Sequence, residues 1–118
     1  MNASVTVDAG ICGFHTRIHA DSDDMQNVTF KISSGCEKAR AFGEALSAKG
    51  PVDGYEEIGA GSDGVILTTA RECLKGCCAA CAVPVGAFKA MQVAAGVALP
   101  KDIHIGIKQE EEQKAGAP

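Results

Sequence analysis

The chain has 118 residues, of which 46% are hydrophobic, 22% are charged and only 4% are aromatic, and its formal net charge is −4. This length is typical of one domain with a modest core, and the scarcity of aromatic residues means that the core must be largely aliphatic. The negative net charge and the lack of a Lys/Arg patch argue against a nucleic-acid-binding module.

The composition also bears on where the protein works. The sequence has no run of eighteen or more apolar residues, so we expect no transmembrane span. Residues 1–4 lack the basic region and the apolar run of a signal peptide. We therefore expect a cytoplasmic protein with neither a membrane nor a nucleic acid as partner. In that compartment the six cysteines indicate metal or redox chemistry rather than disulfide bonds.

Three strands are predicted in the N-terminal part of the chain. Residues 4–7 read as a short strand, and residues 14–20 alternate apolar and polar side chains as a half-buried strand does. After a turn rich in aspartate at residues 21–24, residues 28–32 alternate in the same way. The second and third strands are expected to form an antiparallel hairpin.

The first helix is predicted from about residue 36 to residue 49. Ser34 and Glu37 have the spacing of a capping box, and Gly50-Pro51 ends the helical pattern. Its apolar stripe is able to cover one face of a sheet. That stripe consists of Ala39, Phe42 and Leu46.

The second half of the chain alternates loops and helices. A short helical turn is predicted at residues 52–58, a helix at residues 65–74, and a last helix at residues 84–97 with a proline in its first turn. Three isoleucines alternate over residues 103–107 and predict a final strand. Residues 109–118 read as a disordered tail.

These elements predict an α+β fold. We expect a small antiparallel sheet of three or four strands, with the helices packed on one of its faces. A single cysteine-containing domain would span residues 1–108.

Three cysteines lie at junctions between predicted elements: Cys12, Cys36 and Cys81. Cys36 and Cys81 stand at predicted helix starts, where backbone N–H groups and the helix dipole favour a thiolate. The intervals between the three are too long for a local zinc knuckle, so they meet only if the fold brings the junctions to one end of the sheet. Converging thiolates would repel one another unless they share a cation, and both zinc and iron–sulfur clusters accept sulfur ligands.

A second pattern concerns Cys78 and Cys81, which form a Cys-x-x-Cys pair. This spacing lets two sulfurs chelate one ion, so Cys78 is the predicted fourth ligand and Cys77 is the alternative. The same pair is open to a different interpretation as a thiol–disulfide redox centre. A third interpretation is a structural or interaction domain whose cysteines fill space.

The order of these motifs resembles that of the U-type iron–sulfur cluster assembly scaffolds. The resemblance covers about residues 9–98, and it implies an iron–sulfur scaffold-like fold in which three cysteines hold a nascent cluster, or zinc in its place. It also implies partner proteins that deliver or receive the cluster, and no catalysis by the chain itself. The matching positions are Cys12-Gly13, Phe30-Lys31, Gly35-Cys36 and Cys81.

Two positions depart from the scaffold pattern, as a divergent relative would. Phe14 stands where the scaffolds have an aspartate, and Ala80 stands where they have a histidine before the third cysteine. The leading hypothesis is therefore a small cytoplasmic protein that binds an iron–sulfur cluster or a transition metal such as zinc. Its aliphatic, alanine-rich last helix is able to pack against a second copy in a homo-oligomer, but the same surface is equally suited to the core of the domain.

Overall fold

The sheet is built from the segments whose side chains alternate between apolar and polar. A computed structural model describes residues 1–111 of the chain. The strands are β1 (Asn2–Asp8), β2 (His15–Asp21), β3 (Asn27–Ser34) and a two-residue β4 (Val52–Asp53). They lie in the order β1-β2-β3-β4, and every neighbouring pair is antiparallel. The predicted hairpin of the second and third strands is confirmed.

Strand periodicity separates the two faces of the sheet. On one face, paired positions such as Ile18 opposite Ile32 and Ala20 opposite Phe30 point into the core. On the other face, His15, Arg17 and the residues that alternate with the core positions are exposed. Successive side chains of a strand point to opposite sides, so this pattern buries one face alone.

All the helix packing is on the apolar face. The helices are α1 (Glu37–Ala48), α2 (Gly54–Ala60), α3 (Val65–Cys73) and α4 (Val83–Ala94). Helix α4 covers β1 and β2, α1 covers β3, and α3 packs against α1. The molecule is thus an α+β fold with its helices on one face of an antiparallel sheet, as the sequence predicts.

Two helical glycines allow the helices to lie very close to the sheet. A Cβ atom at Gly43 of α1 would lie 2.8 Å from Cβ of Ile32, and one at Gly86 of α4 would lie 2.8 Å from a methyl carbon of Val7. Both distances are too short for any side chain. Small residues at these positions therefore set how closely the two layers approach.

Helix α4 lies within an apolar segment of the chain. Gly76–Ala94 is long and apolar enough to cross a membrane by length and composition, which is weak evidence because a core helix meets the same criteria. In the structure a 3₁₀ turn (Gly76–Ala80) and α4 divide this segment. Helix α4 buries Ala87, Ala90 and Met91 completely. Seven of the twelve residues of α4 are buried, so core packing explains part of the apolar character of this segment.

Two predicted elements differ from the structure. The helical turn expected at residues 52–58 begins two residues later, because Val52 and Asp53 pair with β3 as β4. The final strand expected at residues 103–107 is wrong, since this part of the chain is neither strand nor helix. An alternating segment becomes a strand only when a neighbouring strand accepts its backbone hydrogen bonds.

The tail and the domain limits remain predictions. Residues 109–111 have no regular secondary structure. The rest of the predicted disordered tail, 112–118, lies outside the described residues. The single domain over residues 1–108 is likewise still a prediction.

Candidate thiol site

The junctions that carry Cys12 and Cys36 lie at the same end of the sheet. Cys12 is in the loop between β1 and β2, and Cys36 follows β3 directly. Thr16 of β2 pairs with Ser34 of β3 at this end, and their hydroxyl oxygens are 2.8 Å apart. Antiparallel pairing therefore brings the two connections that carry Cys12 and Cys36 to the same end of the sheet.

The loop of Cys12 is a tight, exposed turn. Gly10 and Gly13 have φ angles of +86° and +75°, a region that L side chains rarely adopt. The turn closes through a hydrogen bond from the N–H of Gly13 to the carbonyl of Gly10 at 2.9 Å. The Asp8 carboxylate also accepts a hydrogen bond from the Gly10 N–H at 3.1 Å. Cys12 is consequently held at the tip of the turn, where its thiol is exposed.

Cys36 is the N-cap residue of α1 and is half-buried. Its own side chain makes no capping hydrogen bond, while its N–H donates to Oγ of Ser34 at 3.0 Å. The expected capping box is thus replaced by a bond between Ser34 and Cys36. The N-terminus of a helix has unpaired N–H groups and a partial positive charge, so this is a favourable place for an anion.

Cys78 lies on the 3₁₀ turn Gly76–Ala80, and Cys81 is the residue that directly follows this turn; we call residues 76–81 the cysteine turn. The N–H of Cys81 donates to the carbonyl of Cys78 at 3.1 Å. In a 3₁₀ turn, residues three apart project to the same side. Both residues are half-buried and pack against the core, whereas Cys77 is exposed. Cys81 precedes α4 by two residues and is not its N-cap, which is Ala82.

The cysteine turn lies next to the start of α1. Nζ of Lys38, in the first turn of α1, donates to the carbonyl of Lys75 at 3.5 Å. On the other side, Gly86 in the first half of α4 contacts Val7 near the end of β1. The segments that carry Cys36 and Cys81 therefore reach the end of the sheet at which the Cys12 loop lies.

These segments share one end of the fold, but their cysteines do not form a complete metal-binding group. Within residues 1–111, no group of three or more His, Cys, Asp or Glu side chains is arranged to hold a metal ion. All six cysteines are free thiols. The ligand set of Cys12, Cys36, Cys81 and Cys78 stays a prediction.

Asp24 fixes the backbone of the β2–β3 turn. The Asp24 carboxylate accepts hydrogen bonds from Nδ2 of Asn27 at 2.9 Å, from the N–H of Asn27 at 2.8 Å and from the N–H of Gln26 at 2.9 Å. These bonds, the Asn27 side chain first, hold the pKa of Asp24 well below its ordinary range. The carboxylate is thus committed to the turn.

A buried carboxylate escaped the sequence analysis. Glu57 of α2 is only 3% exposed, and it accepts hydrogen bonds from the N–H groups of Val65 and Ile66 at 2.9 and 2.8 Å. Its partners begin the next helix, so no local sequence pattern announces the contact. Because both carboxylate oxygens are used, Glu57 has a structural role.

Comparison with known families corrects the resemblance drawn from the cysteine motifs. The chain matches the model of a family of unknown function (DUF6951) over residues 3–107, and no iron–sulfur scaffold family is matched. The assignment to the U-type scaffolds is therefore wrong. Its motifs were short, and Gly-Cys pairs at helix starts arise in unrelated folds because they suit any sharp turn into a helix.

Two further comparisons were made with individual proteins. Neither the curated proteins nor the solved structures gave a match. The family model covers nearly the whole of the described structure. The chain belongs to DUF6951, a family of unknown function.

Proposed function

We propose that this protein binds a soft transition metal, as zinc or in an iron–sulfur cluster, through cysteine thiolates at one end of its sheet. The observation that carries the proposal is the meeting of the Cys12 loop, the start of α1 and the cysteine turn at that end, with every thiol free. Four cysteines form the proposed set: Cys12, Cys36, Cys78 and Cys81.

The donor chemistry fits such a metal. Thiolates select zinc, Cu(I) and iron–sulfur clusters over hard cations. Cys36, Cys78 and Cys81 are half-buried, which limits the access of water to their sulfurs. The side chains of residues 1–111 form no group that is ready to hold a metal ion. Binding must therefore bring the exposed Cys12 turn and the cysteine turn closer together. Metal binding is commonly coupled to folding in this way.

The proposal also includes the compartment of the protein, its partners and its lack of catalytic activity. Free thiols persist in a reducing compartment, so we place the protein in the cytoplasm. It would hold or carry its metal or cluster for protein partners and catalyse nothing itself. With a formal net charge of −4, nucleic acid is an unfavourable partner.

Anaerobic purification followed by metal analysis and visible spectroscopy tests this function. We expect about one zinc ion or one cluster per chain, lost in Cys36→Ser and Cys81→Ser variants and weakened in Cys12→Ser and Cys78→Ser. Cys73→Ser is the matched control, because Cys73 is also a half-buried free thiol but lies outside the proposed set. Cys77→Ser tests the alternative fourth ligand.

A protein that stays metal-free after titration with Zn²⁺ and Co²⁺ would contradict metal binding. The turn shared by Cys78 and Cys81 then favours the second candidate, a thiol–disulfide redox function, because the two residues project to the same side. In that case a Cys78–Cys81 disulfide should form and be reduced reversibly. If the protein binds no metal and forms no such disulfide, the remaining interpretation is a structural or interaction domain.

A further inference from the structure

The segment that follows α4 has the alternating side-chain pattern of a strand but does not form one. Residues 98–108, which we call the C-terminal arm, have no helix or strand. Three isoleucines alternate in it, and their exposed fractions are 51% for Ile103, 69% for Ile105 and 93% for Ile107. An exposed, regularly spaced apolar row of this kind marks an interaction surface.

The arm is on the surface of the molecule, and every residue from 101 to 108 in it is exposed. The radius of gyration is 16.1 Å, compared with about 13.5 Å for a compact chain of this length. The longest dimension is 59 Å and the other two are 28 and 23 Å. The arm is thus presented to other molecules.

The same chain carries an open sheet edge. Strand β4 pairs only with Asn27 and Val28, so from Thr29 to Ser34 the outer edge of β3 has no strand partner within residues 1–111. On that side Ser47 of α1 donates to the carbonyl of Phe30 at 3.3 Å. Because backbone groups alternate along a strand, the N–H and C=O of Ile32 also point outward.

A groove runs along this edge between β3 and α1. Its volume is about 570 Å³ and it is open to solvent. Its apolar lining comes from Phe30, Ile32, Gly43 and Ala48, and its polar lining comes from Lys31, Glu44 and Ser47. An added strand would place every second side chain in this groove, which matches the spacing of the isoleucines in the arm.

We propose that the C-terminal arm of a second copy of this chain adds to the outer edge of β3, with Ile103 and Ile105 in the groove. Each copy supplies an arm and accepts one, so the exchange is closed by a two-fold axis and yields a dimer. It pairs the outward backbone groups of Ile32 and covers an edge that would otherwise promote aggregation. The proposal is independent of the thiol site.

Charge at the two ends of the edge favours a parallel arrangement of arm and β3. The arm leads into Glu110 and Glu111. In the parallel arrangement these reach the Ser34 end, where Lys38 and Arg40 are exposed on the first turn of α1. In the antiparallel arrangement they would meet Asp53 at the Asn27 end of β3. The first turn of α1 also exposes Glu37, so its net charge is +1, and the parallel arrangement brings the two glutamates to this positive end.

Sedimentation equilibrium of the full chain over a range of concentrations tests the dimer. Ile105→Asp puts a charge into the apolar groove, and we expect it to raise the dimer dissociation constant at least about tenfold. His104→Asp is the matched control: it adds a negative charge at the neighbouring position, which points away from the groove, and should leave the dimer nearly unchanged. A wild-type chain that is monomeric at all concentrations, or a dimer that Ile105→Asp does not weaken, would overturn the proposal.

Hydrogen exchange at the amide of Ile32 locates the contact. We expect its protection to rise with protein concentration and to be lost in Ile105→Asp. Protection in a monomer, independent of concentration, would show that the arm folds onto its own β3 and would refute exchange between copies. A dimer without protection at Ile32 would place the contact elsewhere and also refute it.

Discussion

At the level of single residues, Glu57 shows how a buried charge stabilises this fold. Helix α3 begins after Gly64, which has no side chain with which to cap the helix. Glu57, a residue of α2, caps the helix instead: its carboxylate accepts hydrogen bonds from the N–H groups of Val65 and Ile66. It satisfies two of the unpaired donors at the helix start and places a negative charge at the positive end of the dipole.

Replacing this carboxylate should destabilise the protein. We expect Glu57→Ala to lower the free energy of unfolding by about 1–3 kcal/mol, because two buried N–H groups lose their acceptor. Urea denaturation followed by circular dichroism measures the change. Glu56→Ala is the control, since Glu56 is exposed one residue earlier in the same helix, and it should change stability by less than about 0.5 kcal/mol. Equal effects of the two variants would contradict the capping role.

At the level of secondary structure elements, the contact between α1 and β3 depends on Gly43. Glycine lowers helix stability by about 1 kcal/mol relative to alanine, so its presence inside α1 needs a packing reason. The reason is the 2.8 Å separation between a Cβ at this position and Cβ of Ile32. The clash is with an atom bonded to the backbone, and rotation of a side chain is unable to relieve it.

Gly43→Ala should therefore destabilise the protein although it favours the isolated helix. We expect a net loss of about 1–2 kcal/mol, because the cost of overpacking exceeds the gain in helix propensity. Thermal unfolding measures the change. Gly59→Ala is the matched control: Gly59 is an exposed helical glycine with no atom near its Cβ position, and its replacement should be neutral or stabilising by up to about 1 kcal/mol. Stabilisation by Gly43→Ala would contradict the packing argument.

At the scale of the whole molecule, stability rests on one core between the sheet and the helices. Phe42 is fully buried within it and is its largest completely buried side chain. Apart from Phe30 and Met91, the other buried hydrophobic residues are aliphatic. Replacing Phe42 by a small residue would leave a cavity in this core, and the cost of a cavity adds to the loss of buried apolar surface.

We expect Phe42→Ala to lower the free energy of unfolding by about 3–5 kcal/mol, which is a large part of the total for a domain of this size. Phe14→Ala provides the control, because Phe14 lies on the β1–β2 loop side of the molecule and is 42% exposed. Its replacement should cost less than about 1.5 kcal/mol. If the two variants unfold at the same urea concentration, the core is not organised around Phe42.

Much of the fold could be predicted from local patterns in the sequence. The alternation in residues 14–20 and 28–32 predicted the β2–β3 hairpin, because alternate side chains of a strand face the same layer. The stripe of Ala39, Phe42 and Leu46 predicted the buried face of α1, and all three are buried. For the candidate site, the sequence identified element junctions at Cys12 and Cys36, and both lie at junctions at one end of the sheet.

Whether some segments form strands was decided only by the tertiary structure, because it depends on partners that are distant in the sequence. Ile103 and Ile105 have the same alternation as β2, yet they form no strand, because no neighbouring strand within residues 1–111 accepts their backbone hydrogen bonds. Conversely, Val52 and Asp53 lack a strand pattern and become β4 because β3 lies beside them. Periodicity fixes which face a side chain takes, and the presence of a neighbour decides whether a strand forms at all. In the same way, the sequence alone gives each cysteine its place on an element, while the distances between the sulfurs depend on how those elements pack.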